Sequence, residues 1–114
     1  SVLGSHRIEG IGDDFIPAVV DRSLIDQVAD INDLDAIAMA AKLGRVLGLG
    51  VGISSGANFL GAVLQNREPG RQVATVFADD SKKYLTTLLA TPPAETTDMV
   101  TARIELLGYE PVEV

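Results

Sequence analysis

Two adjacent hydroxyls, Ser54 and Ser55, follow three alternating glycines (Gly48, Gly50, Gly52) and lead through Gly56 into the apolar run "ANFLGAVL". Such a run reads as a helix, and free amides at its N-terminus beside two hydroxyls make a polar pocket suited to an anion or a hydrogen-bond acceptor. The dinucleotide fingerprint GxGxxG is met only loosely. It wants a strand before the glycines, and here the preceding segment is helical. The competing reading is architectural: Ser54 or Ser55 caps the helix while the glycines permit close packing.

Two further clusters could carry chemistry. "EGIGDDF" (9–15) sets Asp13 and Asp14 on a glycine loop, where a carboxylate pair could hold a divalent cation or move protons. Adjacent acids on a glycine turn are more commonly solvated. "FADDSKKY" (77–84) puts Asp79, Asp80 and Ser81 directly after an expected strand, the usual ligand end of an α/β sheet, with Lys82 and Lys83 able to neutralise phosphate. An exposed charged loop explains the same residues. His6 is the one histidine and there is no cysteine, which excludes disulfides, thiolate metal sites and multi-histidine metal sites within the chain. No metal site and no Ser–His–Asp set is assigned.

These residues need elements to position them. "NDLDAIAMAAKLGRVLG" predicts a helix capped by Asn32 or Asp33 and stopped at Gly48, with Leu34, Ile37, Ala38, Ala41 and Val46 along its apolar stripe. A second helix is expected from about Ser55 to Asn66. "QVATVFA" (72–78) alternates in β-forming residues and predicts a strand, and a short strand is expected around Gln27–Ile31. "DDSKKYLTTLLA" reads as loop and short helix, and "AETTDMVTARIELLG" as a terminal helix ended by Gly108. The order points to an α/β architecture, yet with two or three strands the chain reads as part of a sheet domain.

Bulk properties set the frame. The chain has 114 residues, 46% hydrophobic but only 4% aromatic, so its core is aliphatic and alanine-rich. Nine basic against 16 acidic residues give a net charge of −7, which disfavours nucleic acid and anionic membrane surfaces as partners. No apolar run approaches the roughly 20 residues that span a bilayer, and no basic-then-apolar leader pattern opens the chain. The expectation is a soluble intracellular protein.

Taken together, "HRIEGIGDDFIP" (6–17), "AIAMAAKLGRVLGLGVGISSGAN" (36–58) and "VFADDSKKYLTT" (76–87) resemble, in order and spacing, the cysteine synthase / cystathionine β-synthase family of pyridoxal-phosphate enzymes of fold type II. The resemblance covers about residues 6 to 88. It implies an α/β fold, with residues 1–90 forming the C-terminal part of the β-replacement domain, a partial three-layer αβα arrangement; residues 91–114, from Thr91 on outside the shared pattern, are expected as a C-terminal helical tail. It implies that Ser54 binds the pyridine nitrogen of pyridoxal 5'-phosphate, and that a neutral hydroxyl there leaves the ring less fully protonated. The Gly10–Ile11–Gly12 loop would lie against the substrate side of the cofactor, so Ser54 and Gly10 are the cofactor-binding candidates. Asp79 to Tyr84 would form the wall near the ring. In the cysteine synthase branch this region usually reads proline then serine, whereas here it reads Ala78 then Asp79.

The family's Schiff-base lysine, substrate-carboxylate loop and phosphate loop have no counterpart in these residues, and Lys42, Lys82 and Lys83 do not substitute, so no catalytic residue is assigned. The resemblance implies a cytoplasmic homodimer that makes L-cysteine from O-acetylserine or a related activated serine and sulfide, through an aminoacrylate intermediate. The implied partners are a small amino-acid substrate, the N-terminal remainder of the enzyme and, in a further complex, serine acetyltransferase. Cystathionine β-synthase activity is the alternative within the family, and a non-catalytic nucleotide- or anion-binding α/β module the alternative outside it. Strands without neighbours and uncovered apolar faces predict poor folding of these 114 residues alone. Circular dichroism of that polypeptide should show a broad melt; a sharp cooperative one would contradict the expectation.

Overall fold

Asn32 starts the first helix. Its side-chain oxygen accepts the amides of Leu34 (2.9 Å) and Asp35 (3.3 Å), and Asp33 and Asp35 place negative charge in the first turn. In the computed structural model, which describes residues 18–66 and 68–112, this helix (α1) runs Asp33–Leu47. It ends where Gly48 turns left-handed (φ 70°), its amide donating to the Gly44 carbonyl at 3.0 Å. The second helix, α2, spans Ile53–Gln65, two residues earlier at its start than the sequence suggests, because the extended Gly52 serves as its N-cap. The other helical pieces among the described residues are single turns at Arg22–Leu24, Lys82–Tyr84 and Thr101–Arg103.

The two helices meet at Gly56. A methyl group there would lie 2.3 Å from the Ala36 carbonyl oxygen and 2.9 Å from the Ala40 amide nitrogen, so only glycine lets the backbones approach. Side chains on either side of this contact form the core. Ala36, Ile37, Ile53, Ala57 and Tyr84 pack at one end, and Met39, Ala40, Leu43, Val51 and Leu60 at the other.

Residues 36 to 40 of α1 are all buried, which demands cover on a second side. The chain after Thr91 supplies it. The buried Asp35 carboxylate accepts the amides of Val100 (2.8 Å) and Thr101 (2.9 Å) together with the Thr101 hydroxyl. Lys42 Nζ donates to the Thr101 carbonyl (2.9 Å), and Glu95 bridges Lys42 and Arg45.

Three expected elements take other forms. Residues 72–78 and 27–31 are not strands. Among the described residues the only β-pairing is one antiparallel bridge, Val51 to Asp80. Alternation marks a surface fit for a sheet, but a strand exists only with a partner to bond, and none of the described residues pairs with either segment. Val28, Val76 and Phe77 consequently stand exposed. The three-layer αβα arrangement is therefore not built by these residues among themselves. Residues 94–108, expected as a terminal helix, contain only the turn Thr101–Arg103. The amides of Val100 and Thr101 are spent on Asp35 instead of on carbonyls of a preceding helical turn.

Gly56 and Gly61 lie on the same helix and separate packing from propensity, since nothing lies within 4 Å of a methyl on Gly61. Gly56→Ala should destabilise the intact protein by about 1–3 kcal/mol through overpacking. Gly61→Ala should be neutral or stabilising by up to about 1 kcal/mol. Denaturant titration of both variants checks the contrast.

Candidate functional site

The segment entering α2 and the segment 79–81 cross antiparallel. Gly52 donates its amide to the Asp79 carbonyl (3.0 Å), Ser81 donates to the Gly50 carbonyl (3.0 Å), and Val51 bridges Asp80 between them. The contact continues along α2. Asn58 Nδ2 donates to the Val76 carbonyl at 2.9 Å, and the Phe59 and Phe77 rings lie 6.4 Å apart. Two motifs separated by about two dozen residues thus form one edge.

Gly52 is required by this crossing. A methyl on it would fall 2.0 Å from Asp79 Oδ1, so the missing side chain is the space the carboxylate fills. Ser54 Oγ donates to that same Oδ1 at 3.3 Å, and Ser55 Oγ donates to the Asp79 carbonyl at 3.5 Å. Neither serine caps α2, whose cap residue Gly52 makes no side-chain bond; the capping reading of Ser54 and Ser55 therefore gives way. The two hydroxyls differ in access. Ser55 is fully buried, while Ser54 is half-buried and keeps an open face. The Asp79 carboxylate adds negative charge beside the positive end of α2.

Other candidates fall elsewhere. The Asp80 carboxylate turns back to accept the Lys82 amide (3.0 Å), and Lys83 Nζ lies 5.8 Å from the centre of the Tyr84 ring. Lys42 is held by Thr101 and Glu95, a structural role. His6, Gly10, Asp13 and Asp14 lie outside the described residues. Among the described residues no group of three or more histidine, aspartate or glutamate side chains is placed to hold a metal ion, and no helix is long and apolar enough to cross a membrane. Sequence reasoning placed Asp79 in a wall but missed its bond to Ser54. Gly52, opposite it, was the available signal. It also missed Asp35, whose partners lie 65 and 66 residues away with no local mark.

This framework is shared with solved enzymes. The chain superposes with a TM-score of 0.75 on the hydrogen sulfide-producing enzyme of Fusobacterium nucleatum, at 48% identity, covering 87% of this chain and 30% of that one. A variant of that enzyme has been crystallised with an α-aminoacrylate intermediate. No family model matches the chain. In sequence it is 44% identical over 85 residues to cysteine synthase B of Campylobacter jejuni, covering 74% of this chain and 28% of the relative. It is 39% identical over 84 residues to cystathionine β-synthase of Dictyostelium discoideum, covering 72% of this chain and 17% of the relative. The fold is thus that of a segment of cysteine synthase-type enzymes. Over about three-quarters of its length the chain belongs to the cysteine synthase / cystathionine β-synthase family. It spans less than a third of the length of these relatives.

Gly52→Ala tests the crossing directly. The atom in the way is the far end of one exposed side chain, so the variant should lose at most about 1 kcal/mol of stability. Crystals of the variant should show the Asp79 carboxylate displaced from Ser54; an undisturbed Ser54–Asp79 contact would contradict the packing described.

Proposed function

We propose that this chain is one wall of the pyridoxal-phosphate site in a β-replacement enzyme, which makes L-cysteine from O-acetylserine, or a related activated serine, and sulfide. The family match carries the reading. Its fit to the cofactor rests on Ser54: a neutral hydroxyl, half-buried at the start of α2, able to donate to or accept from a ring nitrogen and held to Asp79 only by a long 3.3 Å contact. Pyridoxal phosphate, when bound, supplies the electron sink that permits loss of the β-substituent. Ser54 holds and orients the ring through its nitrogen, and the family resemblance assigns the Gly10–Ile11–Gly12 segment to the substrate side. The Schiff-base lysine comes from the remainder of the protein, so the segment alone is inactive.

In the same reading, residues 1–90 complete a three-layer αβα domain and residues 91–114 form its tail. The exposed Val76 and Phe77 support a sheet position for 72–78 that the rest of the protein pairs. The enzyme acts as a cytoplasmic homodimer, with serine acetyltransferase as its protein partner.

Ser54→Ala in the full-length holoenzyme removes one hydrogen bond to a ring that carries charge during turnover, worth about 1.5–3 kcal/mol. Turnover should fall by about 10- to 100-fold and the visible cofactor band should shift, with phosphate affinity nearly unchanged. An unchanged band and turnover would remove Ser54 from the site.

A further inference from the structure

We infer that Asp35 is a positioning residue for Ser54: by anchoring the C-terminal tail across α1, it holds the first turn of α2 at the depth the cofactor site needs. The inference rests on the proposed cofactor role of Ser54. Three successive residues of α1 meet different neighbours. The Asp35 carboxylate accepts the Val100 amide (2.8 Å), the Thr101 amide (2.9 Å) and the Thr101 hydroxyl, and that hydroxyl also reaches the Asp35 carbonyl at 3.1 Å. The Ala36 carbonyl abuts Gly56, two residues beyond Ser54. Ile37 packs in one cluster with Ile53 and Ala57, one before Ser54 and one after it. A single turn of α1 thus joins the tail to the turn that carries Ser54.

The tail closes over both helices. Val100, Ile104 and Leu106 pack against a cluster that draws Met39, Ala40 and Leu43 from α1 and Leu60 from α2. Apolar contacts alone leave a tail free to slide along a helix; directed bonds to one carboxylate fix its register. Lys42 adds a tie to the Thr101 carbonyl at 2.9 Å. Asp35 is the tie nearest the first turn of α2, because the next residue, Ala36, is the one in contact with Gly56. That contact is backbone and cannot swing aside, so a shift of α1 at Ala36 moves the turn bearing Ser54. Displacing an orienting group by 1 Å from a remote position costs up to about 100-fold in rate.

The test is a double-mutant cycle in the full-length holoenzyme, read by turnover and the visible cofactor band at a temperature where each variant is fully folded. Asp35→Asn keeps the shape but sets an NH2 group where one of the two tail amides donates, so the anchor breaks. Turnover should fall about 10-fold, and the band should shift in the direction seen for Ser54→Ala. Because Asp35 acts through Ser54, the double variant should be little slower than Ser54→Ala alone. Should Asp35→Asn not fold, Thr101→Val, which leaves both tail amides on Asp35, should give a smaller shift in the same direction and the same non-additivity. A lowered melting temperature with wild-type band and turnover, or losses that multiply in the double variant, overturns the inference and leaves the cofactor role of Ser54 standing. A wild-type band and turnover in Ser54→Ala itself overturns both.

Discussion

The described chain depends on a contact between two backbones. At Gly56 of α2 there is no room for a side chain between the helix and the Ala36 carbonyl of α1. This fixes how deep α2 sits and therefore where its first turn points. Alanine on the facing side of α1 serves the same end, since Ala36 and Ala40 fill the gap without pushing the axes apart. The aliphatic side chains above and below then close around the contact. With so few aromatic rings in the chain, density comes from close approach instead of from bulk.

A helix whose residues 36 to 40 are all buried needs a second cover, and the Asp35 carboxylate recruits it. One buried acid takes two amides and a hydroxyl from Val100 and Thr101. Its charge is thereby spread over three donors, which is what makes burial of a carboxylate tolerable. The tail gives up helical bonding over this stretch in exchange. Sequence propensity favoured a helix there; a long-range acceptor with fixed geometry won.

The legible and illegible parts of the sequence divide along that line. Helix α1 was readable to within a residue because Asn32 and Gly48 act locally. The start of α2 was misread by two residues because two serines suggested a cap that an extended glycine supplies. The strand pattern of Gln72–Ala78 was a local preference, but pairing is a property of two segments and did not follow from one. Ser54 was singled out through a family motif. Its bond to Asp79 was not, since it arises from a crossing of segments 25 residues apart.

Gly52 and Gly56 illustrate why a glycine-rich stretch resists local reading. They are four residues apart, and both are glycine because a neighbour already fills the volume of a side chain. At Gly56 the neighbour is rigid backbone, so that glycine serves packing. At Gly52 it is an exposed carboxylate that also reaches the Ser54 hydroxyl, so that glycine makes room for a contact between two motifs. The departure from the cysteine synthase pattern at Ala78–Asp79 acquires a physical meaning on this basis. Serine in place of Asp79 would set a second neutral hydroxyl beside Ser54, able to give or take a proton. An ionised aspartate can only take it, and it also fills the space that Gly52 leaves.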